Sequence, residues 1–388
     1  MNAYKRRPLR AFLAAATIAT ILLTAACGAN PDAGSGDPDD DPIQIGAVLS
    51  LSGAVATLGQ ATERGIRLAV AEVNDAGGID GRPLEVTYLD DQSDQDVAAS
   101  SAQRLMNRDR VTAMIGGTFG TTANAIGVLA ERSEIPFVTS TGIVVEEQEG
   151  WEQSFFTLAN FELVSEAMLQ YLADEGHERI GLLRLSREYG QIGSGYLNEL
   201  ADDFGVEIVA EEQGTDADTT FTTQLTNIRA ADVDAVIVWF ANPAGATALR
   251  NMQELGIDVP VVVPLSMATG SLIDVGGPAA EDVVVLAQLA ADEPEERAQA
   301  FVDLFIEEYG DSPETFDAIG YDLIMILTEA MRQADDPSDS AQVRDALESL
   351  KYSGAGTVVA YGPGNHQPAA ESIVLTRVED GKFVQLAN

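Results

Sequence analysis

Hydrophobic residues follow two alternating periods along most of this chain. Apolar side chains recur at every second position from Ile43 to Leu49, the period of a β-strand, and at i, i+3, i+4 and i+7 from Ile66 to Val73, one face of a helix. The alternation then repeats, with predicted strands at 84–89, 111–115 and 136–139 and helices at 94–107 and 122–132. Alternating strands and helices of this kind predict a doubly wound lobe with a parallel sheet.

A second series of the same kind follows. Its predicted helices are 162–174, 190–204, 221–230 and 243–255, and its predicted strands are 179–185, 206–209, 235–240, 259–263 and 282–289. Three helical stretches at 295–309, 313–334 and 341–350 have no strand between them, so we expect them to return and pack on the first lobe. The last two strands form a predicted hairpin that turns at Asp380-Gly381.

Length and composition agree with two lobes. A chain of 388 residues exceeds an ordinary single core, and its 46% hydrophobic and 22% charged residues are typical of a globular protein. The predicted fold class is therefore α/β, with two doubly wound parallel-sheet lobes and a cleft between them.

The net charge narrows the set of partners. It is −40, from 62 acidic and 22 basic residues, and so acidic a surface repels nucleic-acid phosphates and anionic lipid headgroups. We therefore expect no nucleic-acid partner and no binding to a membrane surface through charge.

The N-terminus has the order of a secretory signal. A basic stretch from Lys5 to Arg10 is followed by an apolar run at 11–23 and then by small residues up to Cys27, the single cysteine. The run Leu-Thr-Ala-Ala-Cys at 23–27 resembles the lipobox of bacterial lipoproteins, although Thr24 stands where Leu is usual. Cleavage without lipidation is the alternative, and the apolar run falls short of a bilayer span.

We thus predict a signal peptide at 1–26, a lipid on Cys27 and an extracytoplasmic protein anchored to the cell membrane, at the cell surface or in the periplasm. Residues 27–42 are rich in Asp, Gly and Pro and contain no large apolar side chain, so they predict a flexible acidic tether.

Catalytic motifs are absent from the sequence. There is no P-loop, G-x-S-x-G, H-E-x-x-H or C-x-x-C, and the two histidines, His177 and His366, lie in predicted turns without a partner nucleophile. The acidic run from Asp90 to Asp96 lacks the register of a calcium loop, and Asp94 is more simply interpreted as a helix N-cap. We expect neither an enzyme nor a bound metal or cofactor.

Several segments together resemble the substrate-binding proteins of ABC importers of the leucine/isoleucine/valine-binding type. They are IGAVLSLSGAVATLGQ, GIRLAVAEVNDAGGIDGRPLEVTYLDDQSD, MIGGTFGTTANA, IPFVTSTG, REYGQIG and FDAIGYDLI, in this order from about Ile43 onward. The resemblance implies the type I periplasmic-binding fold, a monomer that captures a small molecule, and ABC permease subunits as partners. A ligand sensor of the same fold, without transport, is the alternative.

The resemblance also implies a three-segment hinge near 158–161, 289–292 and 362–366. The N-terminal lobe would then comprise 43–158 and 291–362, and the C-terminal lobe 160–289 and 365–388. The residues expected to line the cleft are Leu58, Phe119, Gly120, Thr121, Thr141 and Ile143 on the first lobe, with Tyr189, Ala241 and Leu265 on the second.

Part of this lining follows from local chemistry. Gly120-Thr121-Thr122 joins a strand to a helix, where backbone N–H groups and hydroxyls could hold a carboxylate or another acceptor, unless Thr121 or Thr122 only caps the helix. Thr141 follows the neighbouring strand at the edge where open α/β sheets bind ligands. Phe119, Tyr189 and Trp239 could equally be ordinary core, and Trp239, inside a strand, is interpreted as core.

Three positions depart from the amino-acid binders that the chain resembles. Leu265 and Phe161 stand where those proteins hold the ammonium with carboxylates, and Ile143 replaces a carboxylate-binding Thr. We therefore hypothesise a ligand without an ammonium group, an aromatic or aliphatic carboxylate or a neutral amide, lying on Leu58, Phe119 and Tyr189. Glu162 is the alternative partner for an ammonium.

Overall fold

The hydrophobic alternation becomes two separate β-sheets in the computed structural model, which describes residues 41–142, 150–292 and 294–386. The described strands are β1 Ile43–Leu49, β2 Leu84–Asp90, β3 Ala113–Gly116, β4 Phe137–Thr139, β5 Ser154–Phe156, β6 Arg179–Leu185, β7 Glu207–Gly214, β8 Ala235–Trp239, β9 Val261–Val263, β10 Val284–Ala287, β11 Lys351–Ser353, β12 Val358–Ala360, β13 Val374–Glu379 and β14 Lys382–Gln385. The described α-helices are α1 Ala56–Asp75, α2 Gln95–Arg104, α3 Gly120–Ser133, α4 Phe161–Asp174, α5 Glu188–Leu200, α6 Thr222–Ala230, α7 Ala244–Leu255, α8 Gly270–Gly276, α9 Glu296–Tyr309, α10 Thr315–Gln333 and α11 Ser340–Glu348.

The first sheet has the strand order β2-β1-β3-β4-β5 within the described residues, and all its strand pairs are parallel. The second sheet has the order β14-β13-β10-β9-β8-β6-β7, parallel from β10 to β7 and antiparallel where β13 and β14 join. The predicted terminal hairpin is confirmed, because Glu379 pairs with Lys382 across Asp380 and Gly381, which both have positive φ.

Each sheet reverses its winding at one pair of neighbouring strands, β1 and β3 in the first sheet and β6 and β8 in the second. Helices that follow these strands must lie on opposite faces of the sheet, so a crevice opens at the carboxyl ends of the strands. Open α/β sheets bind ligands at this point.

The late helices α9, α10 and α11 pack on the first sheet, as the sequence predicted. Phe301 and Ile324 share an apolar cluster with Ile45 of β1. Helix α10 also lies directly against α1, because a Cβ on Gly320 would come within 2.0 Å of the Thr62 carbonyl oxygen. The helices after the second sheet therefore complete the first lobe.

Three chain segments connect the two lobes, after β5, after β10 and after β12, and the Gln288 side chain joins the first two. Gln288, fully buried after β10, accepts a hydrogen bond from the Ala159 N–H at 2.8 Å and donates to the Thr157 and Gly356 carbonyl oxygens at 3.0 and 2.9 Å. Thr157 and Ala159 precede α4, and Gly356 precedes β12. The connecting segments before α4 and after β10 thus lie side by side, next to the loop of the first lobe that precedes β12.

The sequence patterns missed β5, β11, β12 and α8. Three of these are strands of three residues, too short for a period of two to be recognised. The N-cap interpretation of Asp94 is confirmed, since its carboxylate accepts the N–H groups of Asp96 and Val97 at 2.9 and 3.0 Å. In the part of the chain that the structure describes, no helix is both long and apolar enough to cross a bilayer.

Candidate ligand-binding cleft

A cavity of about 40 Å³ lies between the two lobes, at the carboxyl ends of both sheets. Its described lining residues come from both lobes and from the connecting segments: Leu58, Thr118, Phe119, Thr141, Gly142, Leu158, Ala159, Phe161, Val164, Tyr189, Trp239, Ala241, Pro264, Leu265, Ser266 and Phe316.

The first lobe forms its part of the lining at the switch between β1 and β3. Ser50, directly after β1, donates its backbone N–H to the Thr118 hydroxyl after β3 at 3.1 Å. Asp90 at the end of β2 accepts the N–H of Leu51 at 3.0 Å, which fastens the loop that leads into α1. The first turn of α1 then presents Leu58 to the cavity.

Helix α3 starts beside this switch with Phe119 at its N-cap. The Thr122 hydroxyl accepts the Phe119 N–H at 3.3 Å and donates to the Phe119 carbonyl oxygen at 3.0 Å, so Thr122 takes the capping role. Within the described residues, the N–H groups of Gly120 and Thr121 have no hydrogen-bond partner. These amides are donors at the positive end of a helix of 14 residues.

The second lobe contributes a group of touching aromatic rings, Phe161, Tyr189 and Trp239, which we call the aromatic wall. The Phe161 ring meets Tyr189 edge-on at 5.1 Å and Trp239 at 5.4 Å between centroids. From the first lobe, Phe119 stacks on Tyr189 at 6.1 Å and closes the cavity between the lobes. The Arg187 guanidinium lies 5.1 Å from the centre of the Phe119 ring and pairs with Asp216.

Hydrogen bonds fix the direction of the polar groups on the second lobe. The Ser266 hydroxyl donates its only proton to the Phe240 carbonyl oxygen at 2.8 Å. The Tyr189 hydroxyl, which is bonded to Ser266, must therefore be the donor in that pair. Burial raises the pKa of the Tyr189 phenol above its ordinary value, so the proton stays on Tyr189 at neutral pH.

Six of the nine residues that the sequence placed at the cleft line this cavity: Leu58, Phe119, Thr141, Tyr189, Ala241 and Leu265. Gly120 and Thr121 lie next to it, in the first turn of α3, without lining it. Ile143 lies outside the described residues, as does Cys27. Whether these residues contact a ligand stays a prediction.

Sequence reasoning missed several members of the lining. Trp239 is fully buried core, as interpreted, but it also borders the cavity. Thr118 precedes Phe119 directly, and its position after a buried strand was the available signal. Ser266 and Phe316 had no such signal, because a short turn and a helix from a distant part of the chain bring them to the cleft.

A two-lobed protein with a small cavity at the facing edges of its sheets, connected by three segments, has the architecture of a type I periplasmic binding protein. A family model described as "Periplasmic binding protein" matches residues 42–382, and the chain belongs to this family. Within it the chain is a member of the leucine/isoleucine/valine-binding group.

Relatives in this group are distant in sequence. The chain is 21% identical over 314 residues to the leucine-, isoleucine-, valine-, threonine- and alanine-binding protein of Pseudomonas aeruginosa, covering 80% of this chain and 83% of the relative. It is 22% identical over 309 residues to the Leu/Ile/Val-binding protein of Escherichia coli, covering 78% and 82%. The branched-chain amino acid transporter substrate-binding protein LivJ of Streptococcus pneumoniae, solved with isoleucine, has a TM-score of 0.80 at 23% identity, covering 89% and 99%.

Proposed function

We propose that this protein is an extracytoplasmic substrate-binding lipoprotein of an ABC importer. It captures one small molecule between its lobes, from the class of branched-chain amino acids, aromatic acids and amides, and delivers it to membrane permease subunits. The observation that carries this proposal is the cavity lined from both lobes at both winding switches. The family relatives are named for binding amino acids, which supports a ligand of this size.

Capture requires the lobes to separate. Leu58 is 7% exposed, Tyr189 6% and Leu265 4%, so a ligand reaches the cavity only when the cleft opens. The proposed lobes comprise 43–158 with 291–362 and 160–289 with 365–388. The proposed hinge lies where the chain passes between the lobes, near 158–161, 289–292 and 362–366, beside the hydrogen bonds of Gln288.

The proposed anchor lies at the N-terminus. Removal of residues 1–26 and lipidation of Cys27 would hold the protein at the membrane, and residues 27–42 would let the lobes reach a permease. The protein is proposed to act as a monomer, because a cleft formed by two lobes of one chain needs no second copy.

A thermal-shift screen tests the capture of a small molecule. The chain from Gly28 onward is heated with a panel of amino acids, aliphatic and aromatic acids and amides, and a ligand that binds the native state raises the melting temperature. Ala241→Phe fills the cavity and should abolish the shift, whereas the same change at exposed Ala360 should preserve it. An equal shift in both variants would place binding elsewhere and contradict the proposal.

A further inference from the structure

The cavity is lined without any charged side chain among the described residues. A buried ammonium that lacks an anionic partner is unfavourable by several kcal/mol, so amino-acid sites need a carboxylate. Glu162, the acidic neighbour of Phe161 on α4, is exposed to solvent and does not reach the lining. Among the described residues, the cleft therefore holds no group that neutralises a positively charged ligand.

The directions of the hydrogen bonds indicate that the ligand presents an acceptor atom to the first lobe. The Thr118 hydroxyl oxygen accepts the Ser50 N–H, and in the described part of the chain no group accepts its proton, so that proton is available for a ligand oxygen. On the second lobe, the Tyr189 and Ser266 protons are already committed to Ser266 and Phe240. The first lobe thus offers a free hydroxyl donor, whereas the hydroxyl protons of Tyr189 and Ser266 on the second lobe are already used within the protein.

Aromatic faces can also bind cations, most strongly where several faces surround the cation. In the aromatic wall, Phe161 meets the other two rings edge to face, with centroids 5.1 and 5.4 Å apart, so these contacts form no cage of facing rings. The guanidinium of Arg187 lies over Phe119 but pairs with Asp216, so it adds no net charge beside the cleft. The N–H groups of Gly120 and Thr121, at the positive end of α3 next to the cavity, favour a ligand acceptor such as a carboxylate or an amide oxygen over an ammonium.

We infer that the ligand is a carboxylic acid or carboxamide with an aliphatic or aromatic body and no ammonium group. This inference rests on the proposed function and sets the chain apart from the relatives that are named for amino acids. The body lies on Leu58, Phe119 and the aromatic wall, and the carbonyl or carboxylate oxygen accepts from Thr118.

Calorimetry with matched pairs tests the inference on the chain from Gly28 onward. Leucine and 4-methylpentanoate differ only in the ammonium group, as do phenylalanine and 3-phenylpropanoate. The amides of the two deaminated acids are measured as well, to show whether the site binds the carboxylic acid or the carboxamide. In at least one pair the deaminated compound or its amide should bind about 100-fold or more tightly than the amino acid, as expected for an unpaired buried charge. If leucine or phenylalanine binds as tightly as or more tightly than its deaminated partner, this inference fails while the capture function stands. If none of these compounds binds, the inference fails, and the wider thermal-shift panel decides separately whether the capture function stands.

A second measurement tests the effect of a negative charge at position 265 of the cavity lining. Leu265→Asp adds a carboxylate to the cavity lining, and Leu265→Asn changes its size and polarity almost equally without a charge. Relative to the Asn variant, the Asp variant should weaken binding of the deaminated acid about tenfold or more and shift preference toward the amino acid. If the ratio of the affinity for the deaminated acid to the affinity for the amino acid is equal in the two variants, charge at the cavity does not select the ligand, and the inference is wrong.

Discussion

A pair of glycines on helix α5 offers a sharp test of how the cleft is built. A Cβ on Gly193 would lie 2.2 Å from Cε2 and 2.6 Å from Nε1 of Trp239, closer than packed atoms can approach. Trp239 is fully buried and held by Phe161 and Tyr189, so its ring cannot move away freely. Gly195, two residues further on, is exposed, and a Cβ there meets nothing within 4 Å.

The two Gly→Ala substitutions should therefore have opposite effects on stability. Each gains about 1 kcal/mol because alanine favours the helix. Gly193→Ala also overpacks the core, which is unfavourable by about 1–3 kcal/mol or more, whereas Gly195→Ala does not. The difference between the variants is then about 1–3 kcal/mol, or at least about 2 °C in melting temperature for a cooperative unit of about 150–250 residues.

Melting curves of both variants, with and without ligand, measure this. Because Trp239 borders the cavity, Gly193→Ala should also weaken ligand binding, and Gly195→Ala should leave it unchanged. If Gly193→Ala is as stable as Gly195→Ala and binds as well, Trp239 does not pack on α5 and the described cleft is wrong.

Three further predictions concern the space between the lobes, pH and the anchor. Glu314 before α10 accepts the first N–H of α8 at 2.7 Å across the cleft, so Glu314→Ala should weaken ligand affinity about tenfold by calorimetry, and exposed Glu308→Ala should not. Burial raises the pKa of Asp322 to about 6 from 3.8. Between these two pKa values the folded protein keeps a proton that the unfolded chain has released, so this contribution to stability is lost as the pH rises through about 6. The fall in melting temperature between pH 5 and pH 7 should be smaller in Asp322→Asn than in exposed Asp311→Asn, and equal slopes would contradict this. Cys27→Ser should abolish incorporation of labelled fatty acid and release the protein from the membrane fraction; retention of the label would exclude Cys27 as the anchor.

The candidate site could be predicted in part because the chain resembles a known family and because several cleft residues directly follow strands with a clear hydrophobic pattern. Phe119, Thr141, Tyr189 and Ala241 all come soon after a strand with a clear hydrophobic pattern, and the carboxyl ends of parallel strands meet at one edge. Phe316 could not be predicted in this way, because it reaches the cleft from the start of α10, a helix that follows no strand of either sheet directly.

The sequence by itself determined the two parallel sheets, the helices that return to the first lobe, the Asp94 cap and the terminal hairpin. Each of these depends on residues close together in the chain, where spacing fixes which side chains share a face. Only the tertiary structure decided that Gln288 bonds to Ala159 and Gly356 and that Tyr189 donates its proton to Ser266, 77 residues away. The use of a buried polar group depends on which partners packing brings within reach, and no local period encodes that.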